Sequence, residues 1–418
     1  MLKSQVDGYK TSSFSQNRGA FIRDLLNMNP HKMYKQGVII KVIKMAEKRV
    51  IFSFFSGSGF LDLGFEMNGF EIDLVNENQP KFLHAYKYSR EQMGLREPSF
   101  GYFNIDINDF LQSRKSDLTQ YVKQTRKEGN LIGFIGGPPC PDFSIAGKNR
   151  GRNGDNGKLS QSYVDLIIAM KPDFFLFENV KGLWKTTRHR EFYEELKATL
   201  KNAGYSMTDR LTNAIEYGAP QDRDRVLLFG IKKTLLVRKC GIDHFPWDEY
   251  KQFNLKDIKD LNWPTSTPFS QNSKTECPSD LPVRFTVEYW FQKNDVENHP
   301  NANNFFVPHN GLSRMQTIYE GDVSKKSYKR LHRWRYSPTA AYGNNEVHLH
   351  PYKPRRLSVA EALALQTLPK EFELPKDMTL TDMFKTIGNG VPFLLADGIA
   401  KTINSFLDTI QKRGGNEK

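Results

Sequence analysis

Cysteine is scarce: the 418-residue chain has three, Cys140, Cys240 and Cys277. They show no CxxC spacing and accompany no obvious histidine cluster, which argues against a disulfide scaffold or a structural zinc site and predicts no bound metal. The same usage predicts a reducing, cytoplasmic setting. No stretch approaches the ~20 apolar residues that span a bilayer, and the opening MLKSQVDGYKTSSFSQ lacks the apolar core of a secretory signal. Also missing are a GKS/T phosphate cradle, a GxGxxG dinucleotide fingerprint, internal repeats and low-complexity tracts.

Positive charge is plentiful. Sixty Lys and Arg against 47 Asp and Glu leave a formal net charge of +13, an excess that favours polyanions, of which nucleic acid is the commonest. Hydrophobic content of 38%, with 30 Phe, fits a globular chain long enough for one large core and a second, smaller domain. Residues 1–48 are polar and basic, with one helix-like patch at VIIKVIKMAEKR, and read as an N-terminal extension. From Arg49 the texture changes. RVIFSFF, EIDLVNE, LIGFIGG, FFLFENV and RVLLFGI are buried-strand candidates. FLDLGFEMNGF, SQSYVDLIIAMKP and EFYEELKATLKNAG read as helices, the last two stopped by proline and glycine. Alternating strands and helices predict an α/β domain around a mostly parallel sheet over 49–235. Residues 236–345 carry many aromatics with scattered Pro and Asn, as expected of an inserted region of short strands and long loops. LSVAEALALQTLP and VPFLLADGIAKTINSFLDTI then supply two more helices within 346–418.

Several sites could carry chemistry. FFSGSGFLDLG joins the first strand to the first helix, and its glycines let backbone approach a ligand at the carboxyl end of a sheet strand. Glu77, after the second strand, stands where a ribose diol could be held, and Asp106, after a third, could bond an exocyclic amine. These point to a nucleoside-type cofactor, and without a triphosphate cradle an adenosyl group is favoured over ATP. GGPPCPDFS sets Cys140 between Pro139 and Pro141, whose fixed φ can aim one side chain. A tight turn around a buried thiol is the equal alternative on local sequence alone. GKNRGRNGDNGK, at 147–158, is a glycine-rich cationic loop that could close over a phosphate backbone. Glu178 ends an intensely apolar strand, where a carboxylate needs a partner or a proton. Arg223 and Arg225 in QDRDR fall on one face if extended and suit an anion or carboxylate clamp. SKKSYKRLHRWRYSP interleaves Lys329, Arg330, Arg333 and Arg335 with aromatics, a pattern for phosphate and base contacts that equally fits a solvated basic segment.

The order FSGSG, NE, an Asp after the next strand, GGPPCPDFS, ENV, QDRDR, RLSVAEALALQTLP, GNGVP resembles the successive motifs of the DNA (cytosine-5) methyltransferase family, from about Val50 to Ala400. The resemblance implies a Rossmann-like domain with helices on both faces of its sheet, using S-adenosyl-L-methionine and releasing S-adenosyl-L-homocysteine. Phe55, Gly57 and Gly59 would border the methionine moiety, Glu77 the ribose and Asp106 the adenine, with Pro138, Asn389 and Val391 completing the pocket. Cys140 would add to C6 of a flipped-out cytosine, Glu178 would hold its N3 and amino edge, and Arg225 with Arg223 its carbonyl and nearby anionic groups. Residues 236–345 would form an irregular or β-rich target recognition domain. Ser144, Lys148, Arg150 and Arg152 would contact DNA, as would Lys329, Arg330, Arg333 and Arg335.

The family setting implies double-stranded DNA as substrate, a monomeric enzyme off the membrane, and host-DNA protection beside a separately acting restriction endonuclease. Three positions depart from the pattern. Ser53 stands where many members have an acid, Phe60 where glycine is frequent, and PCQxFS reads PCPDFS, putting Asp142 near the thiol, where it would tend to raise the thiol's pKa. The same motifs serve a branch that methylates cytosine in tRNA, and a non-catalytic DNA-binding homologue is a third reading. Cys140, Glu178 and both arginines are present, against that third reading.

Overall fold

The computed structural model describes residues 48–139, 155–236, 241–308, 311–325, 327–340, 342 and 347–414. The chain divides into Met1–Glu47 and Lys48–Lys418. The expected helical patch near residues 38–49, all but its last two residues, lies outside the described residues, as do Cys140, Ser144, Lys148, Arg150 and Arg152.

Seven strands form the central sheet: β1 (Arg49–Phe54), β2 (Glu71–Asn76), β3 (Gly101–Phe103), β4 (Leu131–Gly136), β5 (Phe174–Val180), β6 (Tyr205–Asn213) and β7 (Asp224–Lys232). Their spatial order is β3-β2-β1-β4-β5-β7-β6. β1 to β5 are mutually parallel, and β7 runs antiparallel to both β5 and β6. Apolar side chains cover both faces, which is why the strands read as continuous hydrophobic runs. In β1 the pattern is visible residue by residue: Ile51 joins one core, while Val50, Phe52 and Phe54 join the other.

Helices α1 (Phe60–Glu66), α2 (Pro80–Gln92) and α8 (Phe393–Gly414) cover the first face, burying Phe65, Leu83, Leu395, Ile399 and Phe406. Helices α3 (Lys115–Lys127), α4 (Asp155–Met170) and α5 (Thr187–Asn202) cover the second, burying Leu118, Val122, Ile167 and Leu196. α4 ends at Met170, ahead of Lys171 (φ 50°) and Pro172, and α5 ends ahead of the left-handed Gly204. Both stops match their sequence signals.

The chain from 241 to 340 is irregular in its described residues. It holds short helices, Leu255–Lys259, Val287–Lys293 and Leu312–Gln316, and two-residue strands. One of these, Ser337–Pro338, pairs with Gln221–Asp222 just ahead of β7. Ile258, Trp263, Leu281 and Phe285 pack a small core of their own with Ile215. α6 (Val359–Leu365) begins in a capping box, Ser358 with Glu361, and α7 (Leu380–Asn389) leads into α8. Among the described residues no helix is long and apolar enough to cross a membrane.

Candidate active site

Parallel strands deliver the carboxyl ends of β1 to β5 to one edge of the sheet, and the strand order reverses between β1 and β4, where open α/β sheets bind ligands. The turn after β1 is conformationally unusual. Phe55, Gly57 and Gly59 all have positive φ, 53°, 56° and 79°. For Phe55 this costs energy and is the kind of strain that gathers at ligand sites. Gly59 has no alternative, because a Cβ there would stand 2.5 Å from the Tyr86 ring. A Cβ on Gly57 would meet nothing within 4 Å, so the space above that residue is open.

Glu77, just past β2, is pinned beside this turn. Its Oε2 accepts from the Gly57 N–H at 2.9 Å and its Oε1 from the Gln79 N–H at 2.8 Å. Burial pushes its carboxyl up, against those N–H groups, which favour the charged form. Asp106 caps the turn after β3, its Oδ1 accepting from the Asn108 backbone and side chain, each at 2.8 Å. α7 and the segment after it return to the same place. The Thr386 and Ser58 hydroxyls lie 2.7 Å apart, both buried. The Phe60 ring fills the space where a Cβ on Gly390 would sit, 2.1 Å from the nearest ring carbon. Between Phe60 and α8, Val391 is buried and Asn389 exposed. Pro138, past β4, is buried and Pro139 exposed.

Two strands over, an ion pair closes the edge. Val180 pairs with Arg225 and Glu178 with Leu227, so Glu178 and Arg225 are diagonal neighbours on one face. Arg225 Nε stands 2.6 Å from Glu178 Oε1, both side chains nearly buried. The contact is a charge pairing off the line of a good hydrogen bond. Arg225 Nη1 also donates to the Asp224 carbonyl at 2.9 Å. The other carboxylate oxygen of Glu178 faces the Gly137 turn, where a Cβ would come within 2.6 Å of it. Burial raises the Glu178 pKa above its ordinary value, and Arg225 and Arg223 oppose that rise.

The structure gives Arg223 different work from the expected anion clamp. Its guanidinium is buried and donates to Gln221 Oε1 at 3.3 Å, the Ala340 carbonyl at 2.8 Å and the Gly388 carbonyl at 2.6 Å. Arg223 precedes β7, so the extended alternation that would place it beside Arg225 does not start until Asp224. Burial and the like charge of Arg225 push its pKa down.

Arg330 and Arg333 also depart from the expected DNA contact. Arg330 is fully buried and donates to the carbonyls of Ile318 (2.8 Å), Lys353 (3.1 Å), Met315 and His350. Arg333 pairs with Glu320, Nε to Oε1 and Nη2 to Oε2, each at 2.8 Å, and donates to Ser273 Oγ at 2.7 Å. Short-range periodicity cannot separate such arginines from solvated ones, because the acceptors that satisfy them come from 12 to 60 residues away. Lys329 and Arg335 are half-buried.

Residues 50–405 match the family described as C-5 cytosine-specific DNA methylase. The chain belongs to that family. It is 56% identical over 375 residues to the Type II methyltransferase M.NmeDI of Neisseria meningitidis serogroup C, covering 90% of this chain and 88% of the relative. It is 30% identical to M.FnuDI of Fusobacterium nucleatum, over 87% and 96% of the two chains. A prophage-encoded protein of E. coli described as a DNA modification methyltransferase shares its fold, with a TM-score of 0.60 at 22% identity over 87% of this chain and all of that one. A cytosine-5 DNA methylase must activate a poor carbon nucleophile, so a paired, pKa-raised carboxylate at the strand edge is apt chemistry.

Sequence reading of the methylase missed four positions that shape this part of the fold: Gly137, Gln221, Gln366 and Thr386. Gly137 looks like a turn residue, and only the 2.6 Å approach of Glu178 shows what its missing side chain accommodates. Gln221 Nε2 donates to the Leu365 carbonyl at 3.1 Å, and Gln366 Nε2 to the Ile387 carbonyl at 2.5 Å, joining the QDRDR segment to α6 and α7. The first residue of QDRDR was the available signal for that node. Thr386 carried none.

Proposed function

We propose that this DNA cytosine-5 methylase transfers the methyl group of S-adenosyl-L-methionine to a flipped-out cytosine in a specific duplex sequence, through a Cys140–C6 adduct. Glu178 beside Arg225 at the sheet edge, next to the Gly136–Pro139 turn that leads to Cys140, carries the reading. The cofactor fits the residues present: a left-handed turn with open space over Gly57, a carboxylate at Glu77 held for a diol, and Asp106 beyond it. Phe55, Gly57, Gly59, Pro138, Asn389 and Val391 would complete the pocket. When bound, S-adenosyl-L-methionine supplies an electrophilic methyl sulfonium.

The chain's own groups prepare the base to accept it. The Cys140 thiolate forms a bond to C6, and the C5–C6 π pair moves onto C5. Glu178, with its pKa raised, holds a proton toward N3 and offsets the charge that develops in the ring. Arg225 holds Glu178 in place and presents its remaining N–H groups to the cytosine carbonyl. After C5 is methylated it gives its proton to a water molecule, the C5–H electron pair re-forms the C5–C6 double bond, and the thiolate leaves. The target atom is unreachable inside a stacked duplex, so the base is flipped out; of the cationic loop expected at 147–158, residues 155–158 instead begin α4, and the rest lies outside the described residues. Residues 236–345 read the sequence, with Lys329 and Arg335 among the expected DNA contacts. The setting is a bacterial cytoplasm, with a monomeric enzyme and a separate restriction endonuclease.

Labelled S-adenosyl-L-methionine offered with duplex DNA or tRNA tests the substrate, and label entering only tRNA would overturn the reading. DNA containing 5-fluorocytosine should trap a covalent complex with the wild type and none with Cys140→Ser. Tight binding with no adduct would favour a non-catalytic binder.

A further inference from the structure

The segment after the catalytic carboxylate carries a basic surface that the reaction does not use. β5 runs on from Glu178 into the helical turn Lys181–Lys185 and then α5. Lys181 Nζ bonds Asp224 Oδ2 at 2.5 Å, which ties this turn to the first residue of β7, adjacent to Arg225. Leu183 is fully buried beneath it. Lys185 therefore lies within roughly 17 Å of Glu178, three extended residues plus one helical turn at most.

Charges here are unevenly committed. Arg190 stacks 3.9 Å over the half-buried Trp184 ring and pairs with Glu194 at 2.6 Å. Lys185, Thr187 and Arg188 are exposed, and the two cations pair with no carboxylate among the described residues. The following turns of α5 turn acidic, with Glu191, Glu194 and Glu195, which bounds the cationic surface on that side. A duplex that delivers a base to Glu178 carries a phosphate about every 3.4 Å along each strand. Its backbone has to cross the surface bordering the Glu178–Arg225 pair.

We infer that Lys185 and Arg188, with the Thr187 hydroxyl between them, form a phosphate-binding surface that holds the DNA backbone beside the flipped cytosine. The inference rests on reading Glu178–Arg225 as the pair that holds the base. Such contacts position DNA without reading its sequence. The acidic turns of α5 exclude a longer phosphate track along that helix.

The test is the salt dependence of DNA binding by the full chain, using a duplex whose methylated site has been located by bisulfite sequencing. Removing a cation that neutralises one phosphate lowers the slope of log K against log salt by about 0.9. We expect Lys185→Ala and Arg188→Ala each to lower the slope by about one and the double variant by about two, for cognate and unrelated duplexes alike. The affinity for S-adenosyl-L-methionine should not change. Lys127→Ala, exposed at the end of α3 and hence at the opposite sheet edge, should keep the wild-type slope. Wild-type slopes in the Lys185 and Arg188 variants, or an equal drop in Lys127→Ala, would overturn the inference alone. A wild type that methylates no DNA would instead overturn the reading of the site.

Discussion

Glu178, the carboxylate of the proposed mechanism, is buried beside Arg225. Its folded-state pKa is raised, chiefly by burial, so the folded chain binds its proton more tightly than the unfolded chain does. The stability this contributes is full below the ordinary carboxyl pKa and is lost as pH rises through the folded value. Glu178→Gln, which imitates the protonated form, should therefore melt higher than wild type at pH 8, with the gain shrinking toward pH 4. Its methyl transfer should fall ~10²-fold or more, the scale of a lost general acid. Thermal melts at both pH values and a single-turnover assay check the two halves separately. Gly137 matters through absence. The Cβ of Gly137→Ala would collide with the carboxylate at 2.6 Å, and a misplacement of about 1 Å costs ~10²-fold in rate. We expect that loss with cofactor affinity retained, measured by calorimetric titration of S-adenosyl-L-methionine.

At the scale of the element, the turn from β1 into α1 sits over a buried polar network. Ser53 in β1 and Asp62 in the first turn of α1 lie together in one buried region. Tyr86 donates to Asp62 at 3.0 Å, and Arg90 reaches past it to Glu66 and to the Gly59 carbonyl at 2.6 Å. Burial pushes the Asp62 pKa up to about 6, against the pull of Arg90. Raised from 3.8, it contributes stability at low pH that disappears as pH climbs through 6, about 3 kcal/mol in all. Asp62→Asn keeps an acceptor for Tyr86 and should be more stable than wild type at pH 7.5 but not at pH 4, as denaturant titrations at the two pH values would show. The helices and strands themselves were legible as hydrophobic runs with proline and glycine stops. The buried polar network under the turn was not, because its members lie 24 to 31 residues apart.

For the whole molecule, the decisive contacts join segments distant in sequence. α8 packs on α1 so closely that a Cβ on Gly64 would stand 2.5 Å from the Ala396 backbone. Arg223, Gln221 and Gln366 bind the start of β7 to residue 340 and to α6 and α7. The irregular region depends on Glu320–Arg333, where hydrogen bonds from Arg333 hold the carboxyl below its usual range despite burial. Glu320→Gln leaves a buried guanidinium uncompensated, a change that costs ~3–5 kcal/mol when such a pair is broken. We expect amide exchange to speed up across 315–335 and cognate-site discrimination to fall, while cofactor affinity holds. Uniform loss across the central sheet would contradict this.

Sequence alone determined the order of motifs and the alternation of strands and helices, and through the family resemblance it pointed to Cys140, Glu178, Arg223 and Arg225 as the chemistry to look for. Those signals are local: a run of apolar residues, a proline on each side of a thiol, a carboxylate at the end of a strand. Only tertiary structure decided which arginines are held by the fold's own carbonyls and which meets Glu178. Arg225 meets Glu178 because β7 runs antiparallel to β5, whereas Arg223, Arg330 and Arg333 are drawn inward by carbonyl and carboxylate groups from remote segments. A guanidinium reads the same in any sequence, and its role depends on which acceptors the fold brings within about 3 Å of it.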